Sequence, residues 1–339
     1  MKVTIKDVAK AVGVSPSTVS RALRNNSRIS QEVRDRVHQV AQELDFHPNQ
    51  MARSLVDRKT SIIGIVFPGD AGQSLGVPFH SAVLQGLGCA ASERHYHLLL
   101  ATGSEAVTSA DAGRNLAESG YVSGLVLLAA EDAPARLPHI PMVIIGRPLH
   151  NETPYFVDND NVKVGREATD YLMQRGHRRI LFLGYDQKFV VTTDRYQGYE
   201  QALTAAGIAL RPDWIVSSQF NLNSPDNDRL RQIFAAPDRP TAVVCMDDNL
   251  AIGLTGLLGE IGLNAPQDVS IISFNNIEAG RHHSPALTSF DVNPHQLGVA
   301  AMNLMLDVIS GATEDPTFIE VPFTLKERDS VLDISGKDE

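Results

Sequence analysis

The sequence predicts a small all-α headpiece followed by an α/β body of two doubly wound subdomains. Three observations carry that prediction. Apolar residues recur at helical spacing through the first 46 residues, short continuous apolar runs alternate with helix-like stretches from residue 60 onward, and charge is split between the two parts. Residues 1–59 hold 11 Lys/Arg against 6 Asp/Glu, whereas the remainder holds 19 against 34. A basic segment on an acidic body suits an arm for a polyanion carried by a body that a polyanion repels.

The headpiece reads as three helices. Thr4 caps the first, and Ile5, Val8, Ala9 and Val12 form one apolar face. Gly13 permits a sharp turn, Ser15 is a good N-cap, and Pro16 stands at the first helical position, where its missing N–H costs nothing. The second helix, from Pro16 to about Leu23, turns Val19, Ala22 and Leu23 inward and leaves Ser17, Thr18, Ser20 and Arg21 outside. A third begins after Ser30, with Val33, Val37, Val40 and Leu44 on its buried side, and stops before Pro48. Two helices joined by a glycine turn and buttressed by a third make a helix-turn-helix unit. Short side chains at the start of the second helix let it enter a major groove roughly 12 Å wide, and Arg21 has the reach and fork geometry for a guanine edge. A small structural unit with a polar surface is the alternative.

Asn49 to Leu55 fits two helical turns capped by Asn49, with Met51, Ala52 and Leu55 along an apolar edge, followed by a polar linker. So short a helix folds only against a partner or on DNA, where a leucine can wedge into the minor groove. An inert tether would not need that edge.

In the body, strand-like runs fall at 62–67, 97–102, 124–128, 142–145, 180–184, 242–246 and 269–274, with helix-like stretches at 78–94, 164–175, 194–206, 249–261 and 294–311. Continuous rather than alternating apolar strands imply parallel sheets covered on both faces. The body is too long for one such sheet, so two subdomains are expected, with ligands off the carboxyl ends of the strands between them. No GxxxxGK[ST], GxSxG, HExxH or strand-led GxGxxG motif occurs, and His282-His283 read as loop residues. No catalytic residue, metal or cofactor is expected.

Polar clusters fall where strands should end: Tyr155–Asp160, after an expected crossover, Asp194-Arg195-Tyr196, expected to begin a helix, Met246–Asn249, and Phe274-Asn275-Asn276. One guanidinium, several carboxylates and amides, and nearby aromatics suit a neutral polyol, whose hydroxyls bridge Arg and Asp while its C–H faces stack on rings. Taken singly, Asp247 and Asn275 read as helix caps and Arg195 as an ion-pair partner. Their convergence on strand ends makes the case for a site.

VTIKDVAKAVGVSPSTVSRAL, then HPNQMARSL, then RGHRRILFLG, DRYQGYEQAL, VCMDDNLAIGL and PQDVSIISFNN in a two-lobed body together resemble the LacI/GalR family of bacterial sugar-responsive transcription regulators. The resemblance implies a helix-turn-helix headpiece plus hinge helix, then a periplasmic-binding-protein-like body with three crossovers between lobes. It places the helix-turn-helix domain at 1–46, hinge and linker at 47–60, and the two-lobed body at 61–332. Lobe 1 takes about 61–158 plus 292–320, and lobe 2 about 159–291 plus 321–332. Operator-facing residues would be Thr4, Ser15, Pro16, Ser17, Thr18, Ser20 and Arg21, with Asn49, Ala52 and Leu55 in the hinge. Pro16 stands where relatives often read a base, so specificity leans on its neighbours. Effector-binding residues would be Phe79, Asp160, Arg195, Phe220, Asp247 and Asn275, the last in place of the family's usual aspartate. VPF at 77–79, VDNDNV at 157–162 and KFVVTTDRYQGYEQAL look closest to the maltose-operon repressors of the family, which implies maltose or a related α-glucoside.

The expected partners are a double-stranded DNA operator, a small sugar and a second copy of the chain, since no extra heptad helix follows the body. No apolar run approaches the ~20 residues of a membrane span. The start lacks a secretory signal, and two distant cysteines, Cys89 and Cys245, fit a reducing cytoplasm. Other readings are a regulator responding to a phosphocarrier protein or a non-sugar ligand, a solute-binding protein feeding a transporter and, more remotely, a sugar-acting enzyme.

Overall fold

The computed structural model describes residues 3–23, 25–46, 60–104, 106–128, 137, 139–149, 153–186, 189–218, 226–313 and 315–336. The chain divides into two compact units, Met1–Thr60 and Ser61–Glu339. The expected hinge helix, with Asn49, Ala52 and Leu55, lies outside the described residues.

In the first unit α1 (Ile5–Val12), α2 (Pro16–Ala22) and α3 (Gln31–Glu43) enclose Val8, Ala9, Val19, Ala22, Val37 and Ala41. Thr4 and Asp7 bracket the start of α1: the Thr4 N–H and hydroxyl both donate to the Asp7 carboxylate, at 2.9 and 2.7 Å. Those bonds hold the Asp7 carboxyl below its ordinary range. Gly13 ends α1 with φ +80°, a left-handed conformation that a side chain disfavours, and its N–H reaches the Ala9 carbonyl at 2.9 Å. That turn makes room for α2 to cross α1.

The second unit holds two six-stranded sheets. Strands β1 (Ile62–Asp70), β2 (His97–Gly103), β3 (Gly124–Leu128), β4 (Met142–Ile145) and β5 (Tyr155–Asp158) form the first, completed much later by β11 (Thr317–Glu320), in the order β11-β5-β4-β3-β1-β2, all parallel. Its covering helices are α4 (Ala71–Leu75), α5 (Pro78–Glu93), α6 (Ser109–Glu118) and, from beyond the other sheet, α12 (Pro294–Ser310). The second sheet has β6 (Ile180–Gly184), β7 (Ile215–Ser217), β8 (Ala242–Cys245), β9 (Ser270–Phe274), β10 (Thr288–Asp291) and β12 (Thr324–Lys326), in the order β12-β10-β9-β8-β6-β7. Only the β10–β12 pairing is antiparallel. Its helices are α7 (Asn161–Gln174), α8 (Val190–Ala205), α9 (Asp226–Ala235), α10 (Asp248–Glu260) and α11 (Glu278–His282). The fold class is therefore the expected one, a helix-turn-helix headpiece and an α/β body of two doubly wound lobes. The chain passes between the sheets after β5, after β10 and after β11.

Three expectations need correction. His282, read as a loop residue, is the last residue of α11. Tyr155–Asp158 is a strand of the first sheet, so the crossover follows it rather than precedes it. The helix carrying Arg195 begins at Val190, not Asp194, which moves Arg195 from the helix mouth into its second turn. There α8 presses on α7. A Cβ added at Gly165 would lie 2.2 Å from the Arg195 carbonyl oxygen, and one at Gly198 would lie 2.0 Å from that of Val162. The two missing side chains let the helices touch backbone to backbone and set the depth at which Arg195 sits.

Candidate functional site

The outer face of α2 is polar because its inner face must fill the headpiece core with Val19 and Ala22. Ser15, Pro16, Ser17 and Arg21 are exposed, while Thr18 and Ser20 are half-buried. Ser15 Oγ accepts the Thr18 N–H at 3.1 Å and meets the hydroxyls of Ser17 and Thr18, each at 2.8 Å. The start of α2 is thus a compact hydroxyl cluster on a helix N-terminus, where oriented N–H groups favour a phosphate. Exposed Thr4 offers a similar group at the start of α1.

In the second unit, Arg195 organises the carboxyl ends of the strands. Its side chain is buried: Nε donates to Asn161 Oδ1 at 3.0 Å and Nη1 to the Met246 carbonyl, just past β8, at 2.8 Å. The guanidinium lies 4.3 Å from the centre of the Phe274 ring at the end of β9. Among the described residues no acceptor meets Nη2. Burial disfavours the charge and brings the Arg195 pKa down to about 10, opposed by the carboxylates of Asp158 and Asp247.

Asp247 follows β8 and caps α10, accepting the Leu250 N–H at 2.9 Å and the Tyr185 hydroxyl at 2.6 Å. Cap and candidate ligand group are therefore one residue, with Tyr185 holding its second oxygen. Burial raises the Asp247 carboxyl, and burial, with Asp247 beside it, raises the Tyr185 phenol. The adjacent Asp248 is structural. It is fully buried and accepts from the hydroxyls of Ser273 and Ser289 and from the Ile277 N–H, and burial brings it up to about 6. Asn275 has φ +92°, donates its backbone N–H to the Phe290 carbonyl at 2.8 Å, and leaves its side-chain amide without a hydrogen bond to any described residue.

Lobe 1 supplies the opposite side. Phe79, in the first turn of α5, packs against the cores of both lobes. Asp158, at the end of β5, accepts from the Asn159 N–H at 2.8 Å and from Asn161 Nδ2 at 3.0 Å, and burial pushes its carboxyl up to about 6. Arg147, just past β4, grips Asp194 of α8 with two bonds, Nε to Oδ2 at 3.0 Å and Nη2 to Oδ1 at 2.6 Å. That fork ties one lobe to the other beside Arg195.

The structure thus gathers Arg195, Asp247 and Asn275 at the strand ends of lobe 2, with Phe79 reaching across. Asp160 stands apart: it caps α7 by accepting the Lys163 N–H at 2.8 Å, and the acid of that stretch that couples to Arg195 is Asp158. Phe220 lies outside the described residues. Asp158 lay inside the polar cluster at 155–160, from which Asp160 was chosen; Arg147, Asn161 and Tyr185 were not singled out, although Tyr185 follows an apolar strand, the same signal that marked Asp247. Among the described residues, no group of three His, Cys, Asp or Glu side chains could hold a metal ion, and no helix is long and apolar enough to cross a membrane.

Comparison with known proteins agrees with this fold. A model of the lacI family of bacterial regulatory proteins matches residues 4–49, and a model of the periplasmic binding protein-like domain matches residues 169–331. The HTH-type transcriptional regulator MalR of Streptococcus pneumoniae is 36% identical over 315 residues, covering 91% of this chain and 94% of its own. A solved transcriptional regulator CelR–cellobiose complex is 28% identical, with a TM-score of 0.72 over 97% of this chain and 100% of that one. The Lac repressor dimer bound to operator and the anti-inducer ONPF, 22% identical, shares the fold with a TM-score of 0.84 over 98% and 100%. The matches run through headpiece and body alike, and the relatives are regulators rather than enzymes: this chain belongs to the LacI family of bacterial DNA-binding transcription regulators.

Proposed function

We propose that the protein is a homodimeric repressor whose affinity for an operator is set by a small sugar, maltose or a related α-glucoside, bound between the two lobes. The observation that carries this reading is Arg195. Its guanidinium is fixed by Asn161 and Met246, laid over Phe274, and keeps one nitrogen without an acceptor among the described residues, beside the carboxyl ends of β8 and β9. A fixed donor beside the Asp247 carboxylate and an aromatic face is the chemistry that holds vicinal hydroxyls. The likeness to MalR and to a cellobiose-bound relative supports a disaccharide, and the operator-bound Lac repressor dimer supports a paired headpiece on a pseudo-palindromic site.

In this reading α2 lies in the major groove with Arg21 on a base edge, and Ser15, Ser17 and Thr18 hold phosphate oxygens beside it. Sugar draws the lobes together about the three crossovers and changes the spacing of the two hinge segments. The effector then changes operator affinity by about 5–150-fold, a coupling of about 1–3 kcal/mol.

The test uses the full chain and a DNA site selected from a random duplex pool. Maltose should change the affinity for that site in a fluorescence-anisotropy titration. Arg21→Ala should weaken specific DNA binding by about 1–3 kcal/mol and leave maltose binding intact. Arg195→Ala should hold DNA but no longer respond. An affinity indifferent to both maltose and cellobiose would refute the sugar reading.

A further inference from the structure

Arg195 does not hold its own position. Its Nε–H can only donate, and the acceptor it finds is Asn161 Oδ1, at 3.0 Å on the first residue of α7. The other end of the same amide donates to Asp158 Oδ1 at 3.0 Å and to the Asn159 carbonyl at 3.4 Å. Both ends of Asn161 are therefore committed, and their chemistry dictates which way the amide points. Asn161 is 4% exposed, so neither bond is replaced by water at no cost. It also sits at a junction: Asp158 ends the last strand before the first crossover, and Asn161 opens the first helix after it.

We propose that Asn161 is a positioning residue for effector recognition, fixing the Arg195 guanidinium and making its placement depend on the lobe-1 strand end that carries Asp158. The inference rests on the reading that the cleft takes a sugar through Arg195, and it deepens that reading by naming what aims the guanidinium. A rotation of one lobe about residues 159 and 160 moves Asp158 relative to α7 and pulls directly on the Asn161 amide. The guanidinium turns with it, held otherwise, among the described residues, by the Met246 carbonyl and the face of the Phe274 ring. Alanine removes this link and leaves Nε–H without an acceptor. Aspartate is the informative replacement. Protonated, it presents the same acceptor to Arg195 and the same donor to Asp158; ionised, it sets two carboxylates against each other. The charged and titratable groups around that pair and Arg195 are Arg147 after β4, Asp194 on α8, Asp247 and Asp248 at the start of α10, and Tyr185 after β6.

The test follows the Arg195 Nε–H resonance of the 15N-labelled full chain, identified by its loss in Arg195→Lys, together with maltose affinity by calorimetry. In the wild type that proton should exchange slowly. In Asn161→Ala its exchange should quicken at least tenfold and maltose binding should weaken roughly 10- to 100-fold at every pH. In Asn161→Asp both should lie near wild type at pH 5.5 and fall away as the pH is raised. An unmoved Arg195 signal in Asn161→Ala, with maltose affinity within about twofold of wild type, overturns the inference. If Asn161→Ala does not fold, Asn161→Asp at pH 5.5 decides: a folded protein without the slow Arg195 signal overturns it. If the wild type binds neither maltose nor cellobiose, the sugar reading fails by itself, and the Arg195 resonance still decides whether Asn161 aims the guanidinium.

Discussion

Adding one methyl group at Gly165 should loosen the lobe that holds Arg195. The new Cβ would stand 2.2 Å from the Arg195 carbonyl oxygen, 2.8 Å from its Cα and 2.9 Å from its carbonyl carbon. All three are backbone atoms, so no side chain can swing aside. Relief requires α8 to retreat from α7 by roughly 1 Å, which would stretch the 2.8 Å bond from Arg195 Nη1 to Met246 past hydrogen-bonding range. If the helices stay put, the strain remains; if they part, a bond from a charged group is lost. Either route costs about 1–3 kcal/mol. The protein supplies its own reporter, because its single tryptophan, Trp214, is buried in the core of this lobe. With a urea m-value of about 2 kcal/mol/M, the fluorescence midpoint of Gly165→Ala should fall by ~0.5–1.5 M. Gly256→Ala is the control. It makes the same chemical change in α10, where an added Cβ meets nothing within 4 Å, and should be neutral or stabilising by up to about 1 kcal/mol. Equal midpoints for Gly165→Ala and wild type would refute the close-approach argument.

Three further outcomes are expected. In a double-mutant cycle of Arg147→Met and Asp194→Asn, the fork between lobes should show a coupling of about 1–2 kcal/mol, between the values for exposed and buried pairs, because Arg147 is half exposed and Asp194 only 9%; a coupling under about 0.3 kcal/mol would mean that the lobes are not clasped there. Asp158 and Asp248 are each raised to about 6, so the folded state holds their protons more tightly than the unfolded chain does, and that stabilisation is full below an ordinary carboxyl pKa and lost as pH rises through about 6. The Trp214 midpoint should therefore drop between pH 5 and pH 7.5, whereas a climb would show that buried His177, lowered by burial and shifting stability the other way, prevails. In the headpiece, Gly13→Ala places a side chain at φ +80° and should cost about 1–2 kcal/mol by thermal unfolding of that unit, an unchanged midpoint meaning that the turn relaxes freely.

Strands β3, β4 and β6 were legible to the residue, because GLVLL, MVII and ILFLG are buried throughout and bounded by residues that leave the sheet. The strands β7, β10, β11 and β12 were not. Pieces such as TSFD, TFIE and TLK are short and partly polar, and they are strands only because a neighbour pairs with them. The start of α8 was hidden for a related reason: Val190, Val191, Thr192 and Thr193 are β-branched and poor helix formers, yet tertiary packing winds them into the first turn. In the site, Asp247 stood out as a charge where an apolar run stops, whereas Arg195 was noted at an expected helix start and lies in the second turn of α8. Asp158 and Asp160 could not be told apart by spacing, since choosing between a strand end and a helix cap needs the crossover to be located. Arg147 lay beyond reach, because its meaning depends on Asp194 across the cleft, 47 positions further along the chain.

The triple passage between sheets also sets an order of assembly. When β10 leaves the ribosome, lobe 2 has five of its six strands and lacks the three-residue edge β12 and the tail beyond it, which bonds to Ile271 and Thr288. Lobe 1, begun long before, still waits for α12, whose Leu297, Ala301, Met302 and Met305 fill its core against Ile63, Val83, Leu87 and Val143. The lobe begun first receives its covering helix only after the sheet of its neighbour is nearly complete. Throughout the synthesis of its neighbour it presents an uncovered apolar sheet face to the cell, so a message truncated before residue 294 should yield a nearly complete lobe 2 tethered to an aggregation-prone half.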